Sequence, residues 1–145
     1  MTFICRLWTI YPDCKKQGKE LKKMTLQELY SQIGGDYEQA LRVMRVEKLI
    51  DKHIRKLVTN GVVDGLVDAA ERMEPAELFD AAHAMKGICA NLGLTALAEM
   101  ASEIAEEYRG GNQRKLTDEQ AKEKIAQIEA LYKKTAESIG KYAQG

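Results

Sequence analysis

Apolar residues recur at every third or fourth position along most of the chain from Met24 onward. The clearest stripe has the spacing i, i+3, i+4, i+7, i+8, i+11 and consists of Leu97, Met100, Ala101, Ile104, Ala105 and Tyr108. This spacing puts the apolar side chains on one face of an α-helix, whereas a strand would show strict alternation. Only two prolines, Pro12 and Pro75, interrupt the chain, and aromatic residues make up 6% of it. The pattern therefore predicts an all-helical protein.

Capping residues mark where the helices are expected to begin and end. The expected N-caps are Thr25, Asp36, Thr95 and Thr117, the last in a capping box with Gln120. The expected stops are Gly34-Gly35, Asn60-Gly61, Gly93 and Gly110-Gly111. Helices with one apolar stripe and short connections bury their stripes by packing side by side in opposite directions. We therefore predict an all-α fold, an antiparallel four-helix bundle with additional short N-terminal helices.

The charge of the chain is unevenly distributed. All 145 residues together carry 22 basic and 22 acidic side chains, a net charge of zero, and the length fits one domain. Residues 1–23 carry six basic and two acidic side chains, a net charge of +4, which leaves −4 on residues 24–145. We expect residues 1–23 to form a basic leader, flexible or non-native, before a bundle domain over residues 24–145. A duplex-DNA binder would show a basic excess, so that class is disfavoured.

The cysteines give no disulfide framework and no zinc site. Cys5, Cys14 and Cys89 are odd in number and widely spaced, with no Cys-x-x-Cys pair. The simplest interpretation is a reducing, cytoplasmic setting. The apolar stretch Met1–Tyr11 is too short to span a bilayer and lacks the charge order of a secretory signal. No Walker loop, dinucleotide-binding glycine motif or His-Glu-x-x-His is present, so nothing supports an ATPase, a dehydrogenase or a zinc protease.

The segment 75–93 carries the candidate chemistry. On a helical wheel its core stripe consists of Leu78, Ala81, Ala82, Met85, Ile88, Cys89 and Leu92. His83 falls almost opposite the centre of that stripe, with Lys86 and Gly87 one turn further along. A glycine inside a helix lowers the stability of the helix by about 1 kcal/mol relative to alanine, so the presence of Gly87 requires an explanation. A nucleophilic imidazole, a cation and a steric notch on one face suit phosphorylation by a docking partner.

The segment His83-Ala84-Met85-Lys86-Gly87-Ile88-Cys89-Ala90-Asn91-Leu92-Gly93 resembles the signature of histidine-containing phosphotransfer (Hpt) domains. Six positions match: His83, Met85, Lys86, Gly87, Leu92 and Gly93. The resemblance implies a phosphorelay protein that accepts a phosphoryl group on His83 from the aspartyl phosphate of a receiver domain and passes it on. It also implies that Lys86 stabilises the phosphoryl charge, and that no ATP or cofactor of the chain's own is needed.

The resemblance further implies partners and a mode of action. The expected partners are receiver domains of response regulators and hybrid histidine kinases, which supply Mg²⁺, with no nucleic acid and no membrane. The chain would then be a relay intermediate, not a free-standing enzyme, and a monomer. On the outward face of the helix, Phe79, Gly87 and Ala90 are the candidate docking residues, although Phe79 could equally cover the bundle edge.

Other interpretations stay open at this point. The bundle could be an interaction scaffold that has lost phosphotransfer, or a metal-binding bundle, for which Asp80-Ala-Ala-His83 supplies one metal-ligand spacing without a second copy. Asp80 could repel a phosphoryl group on His83 or hold the imidazole tautomer. His53 is expected to be a partly buried boundary residue, and Gly65 a packing glycine.

Overall fold

The computed structural model describes residues 24–144, and over this range every regular element is an α-helix. The helices are α1 (Leu26–Ile33), α2 (Tyr37–Met44), α3 (Glu47–Leu57), α4 (Val62–Arg72), α5 (Pro75–Asn91), α6 (Thr95–Tyr108) and α7 (Asp118–Gln144). The prediction of an all-helical fold is confirmed. The predicted leader, residues 1–23, lies outside the described residues.

Most of the predicted helix caps are present. The Thr25 side chain accepts a hydrogen bond from the Glu28 backbone N–H while the Glu28 side chain accepts one from Thr25, a reciprocal capping box. Asp36 caps α2, and Thr117 forms the same reciprocal pair with Gln120 at the start of α7.

The predicted cap at Thr95 is wrong. Leu94 occupies the N-cap position of α6, and no side chain caps that helix. The Thr95 hydroxyl instead donates to the Gly93 carbonyl oxygen at 3.4 Å. The turn between α5 and α6 is so short that Thr95 already belongs to the helix.

Four helices surround the main core. α4 packs on α5, α5 on α6, α6 on α7, and α7 returns to α4, so the four close a ring. Their apolar stripes meet in the centre, where Leu78, Met85, Ile104 and Ile128 are fully buried. The three shorter helices are placed around this ring: α1 and α3 pack on α7, and α2 packs on α3 and α5.

The end of α5 is fixed by a close approach of two backbones. Gly93 has φ +72°, and a Cβ on it would overlap the backbone carbonyl of Asp36. The Asp36 N–H donates to the Gly93 carbonyl at 2.7 Å. The buried Tyr30 hydroxyl donates to the carbonyl of Leu92 at 2.5 Å. These contacts hold the α5–α6 turn against the N-terminal helices, and so fix the outward face of α5.

The end of α6 is tied to the loop before α7 by a buried carboxylate. Glu107 accepts hydrogen bonds from the backbone N–H groups of Leu116 at 2.7 Å and Lys115 at 2.8 Å, and from Arg114 Nε at 3.0 Å. Burial opposes ionisation of this carboxyl, but the three donors outweigh it, so the pKa of Glu107 lies below its ordinary value. The loop is therefore anchored by charge-assisted hydrogen bonds.

Candidate functional site

α5 has a buried face and an open face. Leu78, Ala82, Met85 and Cys89 are buried in the core, while Ala81 and Ile88 lie at its edge. The core stripe predicted for this helix is therefore confirmed. His83 is exposed on the opposite side, in the middle of a helix of 17 residues. The imidazole is held by a rigid element and is open to an approaching molecule.

An aromatic contact positions the imidazole. The rings of Phe79 and His83, one turn apart, are stacked with their centroids 5.4 Å apart and an interplanar angle of 16°. Phe79 is itself half-buried and packs against the core. It therefore both covers the bundle edge and contacts the imidazole, and the contact restricts the orientation of His83.

Two residues of the site were not predicted from the sequence: Arg109 and Glu106, at the end of α6. The Arg109 guanidinium carbon lies 5.3 Å from the centroid of the Phe79 ring, within the range of a cation–π contact. The same guanidinium is paired with Glu106: Nη2 lies 2.7 Å from Oε2, and Nε lies 3.2 Å from both carboxylate oxygens. α6 thus places a cation and a carboxylate beside the aromatic neighbour of His83.

Lys86 belongs to the same cluster of charges. The hydrogen bonds from Arg109 lower the pKa of the Glu106 carboxyl, and the positive charge of Lys86 lowers it further. The charged residues one turn from His83 along α5 are Asp80 and Lys86, and α6 contributes the ion pair of Glu106 and Arg109.

The notch predicted at Gly87 is open. Gly87 is exposed, and a Cβ built on it would meet no atom within 4 Å. No internal packing therefore requires a glycine here. A shallow groove of about 390 Å³ lies next to it, with Lys86, Ala90 and Ala98 among its lining residues. Lys86, Gly87 and Ala90 thus form one continuous surface beside the imidazole.

Gly65 on α4 is equally unobstructed, since a Cβ there also meets nothing within 4 Å. Its interpretation as a packing glycine is wrong, because the residue lies exposed on the outer side of the bundle. Nothing in the structure explains this glycine.

The remaining sequence candidates are Asp80, His53 and a metal site. Asp80 is exposed, and among the described residues no hydrogen bond joins it to His83, so the structure offers no contact by which it would hold the imidazole tautomer. His53 is half-buried on α3, a helix that packs on α2 and α7. Within residues 24–144, no group of three or more His, Cys, Asp or Glu side chains is arranged to hold a metal ion.

Comparison with known families identifies the fold. The family model of the Hpt domain matches residues 25–137, which include every helix from α1 to most of α7. The chain belongs to the Hpt domain family. Searches of curated proteins and of solved structures find no match. At family level, an Hpt domain implies histidine phosphotransfer in a two-component phosphorelay. None of the helices described within this Hpt domain is long and apolar enough to cross a membrane.

Proposed function

We propose that this Hpt domain accepts a phosphoryl group on His83 from the aspartyl phosphate of a receiver domain and passes it to another receiver domain. The observation that carries the proposal is the exposed imidazole in the middle of α5, opposite the core stripe, next to an unobstructed glycine. We also infer that α4, α5, α6 and α7 run as an antiparallel four-helix bundle, because loops of two, three and nine residues join the three consecutive pairs of packed helices in the ring.

The transfer step needs little from this chain beyond position. The lone pair of one imidazole nitrogen attacks phosphorus, and the bond between phosphorus and the aspartate oxygen breaks. The electron pair of that bond stays on the aspartate, which leaves as a carboxylate, while the ring keeps the proton on its other nitrogen. The reverse sequence delivers the phosphoryl group to the next receiver. The chain is regenerated at the end, so it acts as a relay intermediate.

Lys86 and Gly87 have separate roles in this proposal. Lys86, one turn from His83, stabilises the negative charge on the phosphoryl oxygens as they move between the two proteins. Gly87 leaves room for the receiver backbone to approach α5, which an added side chain would prevent. Phe79 and Ala90 border the same surface and contact the docked receiver. The receiver supplies the aspartate and its Mg²⁺. One chain presents the complete surface, so we propose that the protein acts as a monomer, in the reducing setting of the cytoplasm.

Phosphotransfer from labelled receiver domains tests the assignment. The full chain is incubated with phosphorylated receivers from the same genome, and acid-labile label on the Hpt protein is measured. His83→Gln is expected to abolish the label, whereas His53→Gln, which changes the chain's second histidine, is expected to retain it. Label that survives His83→Gln would reject the site, and absence of label from every receiver would favour a scaffold without phosphotransfer.

A further inference from the structure

The ion pair between Glu106 and Arg109 is exposed, and its guanidinium lies over Phe79, the ring that stacks on His83. The side chains of Arg109 and Glu106 are 43% and 50% exposed, and Asn112 Nδ2 donates to the Glu106 backbone carbonyl at 2.9 Å. Exposed pairs of this kind add little to stability. A second exposed arginine pair, Arg72 with Asp68 on α4, has a comparable geometry at 2.9 Å. Stability alone therefore gives no reason for a pair at the His83 site.

A chain of contacts links this pair to His83 through Phe79. The guanidinium carbon of Arg109 lies 5.3 Å from the centroid of the Phe79 ring, and that centroid lies 5.4 Å from the centroid of the His83 ring. The distance from the guanidinium to the imidazole therefore cannot exceed the sum of these two distances. Lys86 lies on α5 one turn after His83, and its positive charge favours the ionised form of Glu106. An arginine side chain that is nearly half exposed can turn toward a group added to the ring.

A phosphoryl group on His83 would present up to two negative charges and three acceptor oxygens. Lys86 supplies a single positive charge, whereas the planar fork of a guanidinium can bind two phosphoryl oxygens at once. We propose that Arg109 is a second phosphoryl-binding cation of this site, and that Glu106 holds it beside Phe79 and competes with the phosphoryl group for it. This inference rests on the proposed function, because it requires phosphorylation of His83.

Glu106 acts here as a positioning residue, through Arg109. Its carboxylate keeps the guanidinium near the ring in the unphosphorylated protein and carries the negative charge that the phosphoryl group must displace. No covalent bond changes in the exchange: Arg109 leaves one anion and binds another. Replacing Glu106 with a neutral residue should therefore strengthen the interaction of Arg109 with the phosphoryl group, while replacing Arg109 should weaken it.

Titration of the phosphorylated chain by phosphorus NMR tests this without a protein partner. Phosphoramidate serves as the donor: an imidazole nitrogen of His83 attacks phosphorus, the P–N bond of the donor breaks, and ammonia leaves. The titration midpoint of the phosphoryl group is then followed with pH. We expect Arg109→Gln to raise the midpoint by about 0.5–1 pH unit and Glu106→Gln to lower it, because a nearby cation favours the dianion. In Arg109→Lys, which keeps the positive charge, the midpoint should lie between those of Arg109→Gln and the wild type.

Arg72→Gln is the matched control, since it removes an exposed arginine of the same kind from α4 and should leave the midpoint unchanged. A midpoint that is the same in Arg109→Gln as in the wild type, with the His83 phosphoryl signal present, would overturn the inference and leave the proposed function standing. A wild-type chain that takes up no phosphoryl group on His83 from phosphoramidate or from any labelled receiver would overturn both.

Discussion

Replacing the two unobstructed glycines with alanine separates their effects on folding and on transfer. Gly87 on α5 and Gly65 on α4 both lie inside helices, and a Cβ at either position meets no atom within 4 Å. Alanine is favoured over glycine in a helix by about 0.5–1 kcal/mol, and no clash offsets this gain at either position. Each variant should therefore be more stable than the wild type by about that amount, which corresponds to a rise in Tm of about 2–4 °C.

The two variants should differ only in transfer. Gly87→Ala places a methyl group where the receiver backbone is proposed to approach, so we expect transfer to slow by about ten-fold, the effect of a cost of about 1.4 kcal/mol in the complex. Gly65→Ala should transfer at the wild-type rate. Urea unfolding followed by circular dichroism gives the stabilities, and initial rates of label transfer give the function.

Two results would refute this reasoning. A Gly87→Ala variant that is less stable than the wild type would show that the fold itself requires the glycine. A Gly87→Glu variant, with a much larger side chain, that still transfers at the wild-type rate would show that no partner approaches the helix there.

Three further experiments test the backbone contact, the buried carboxylate and the core that support the site. Gly93→Ala should lower the free energy of unfolding by about 3 kcal/mol or more, as measured in urea, because its Cβ would overlap the Asp36 backbone. Gly34→Ala has a similar φ of +70° but open space around it, so it should lower the free energy of unfolding by only about 1 kcal/mol. Equal losses in the two variants would show that the overlap at Gly93 has no effect. Folding lowers the pKa of Glu107, so its ionised carboxylate stabilises the folded state. This contribution to the free energy of unfolding is fully present above the ordinary glutamate pKa of about 4.3, and it is lost as pH falls through the lower pKa of the folded state. Glu107→Gln should thus cost about 1–2 kcal/mol at pH 7 and much less at pH 3, and a cost independent of pH would argue against the ionised form. Burial raises the pKa of the Cys89 thiol to about 12, which suppresses the reactive thiolate. Iodoacetamide should therefore modify Cys89 about 100-fold more slowly in the native chain than in the urea-unfolded chain, as measured by peptide mapping. Equal rates would show that the core opens freely.

Local signals in the sequence were sufficient to predict most of the helix caps and the outward face of α5. The capping box at Thr25 and the stop at Gly34 depend only on residues a few positions apart, so they could be predicted directly. The same holds for the outward placement of His83, because the periodicity of α5 fixes which side chains are opposite the core.

The sequence was insufficient where the outcome depends on how two helices are placed. Arg109 and Glu106 appear in the sequence as an ordinary pair three residues apart at the end of an amphipathic helix. Their relation to Phe79 depends on the length of the α5–α6 turn and on the register in which the two helices pack. The prediction for Thr95 failed for a related reason, since the short turn drew that residue into α6.

The six residues that match the Hpt signature divide into two groups when each is compared with its surroundings. Three have a structural reason, because they are buried in the core or lie where only a glycine fits: Met85, Leu92 and Gly93. The other three face outward, and the packing of the bundle does not require them: His83, Lys86 and Gly87. An exposed glycine lowers the stability of its helix and gains no internal contact in return. An open glycine alone does not identify a docking site, because Gly65 is equally open; the case for α5 rests on Gly87 lying one turn beyond the exposed His83, and we propose on that ground that the benefit of these three residues lies in a molecule that docks there.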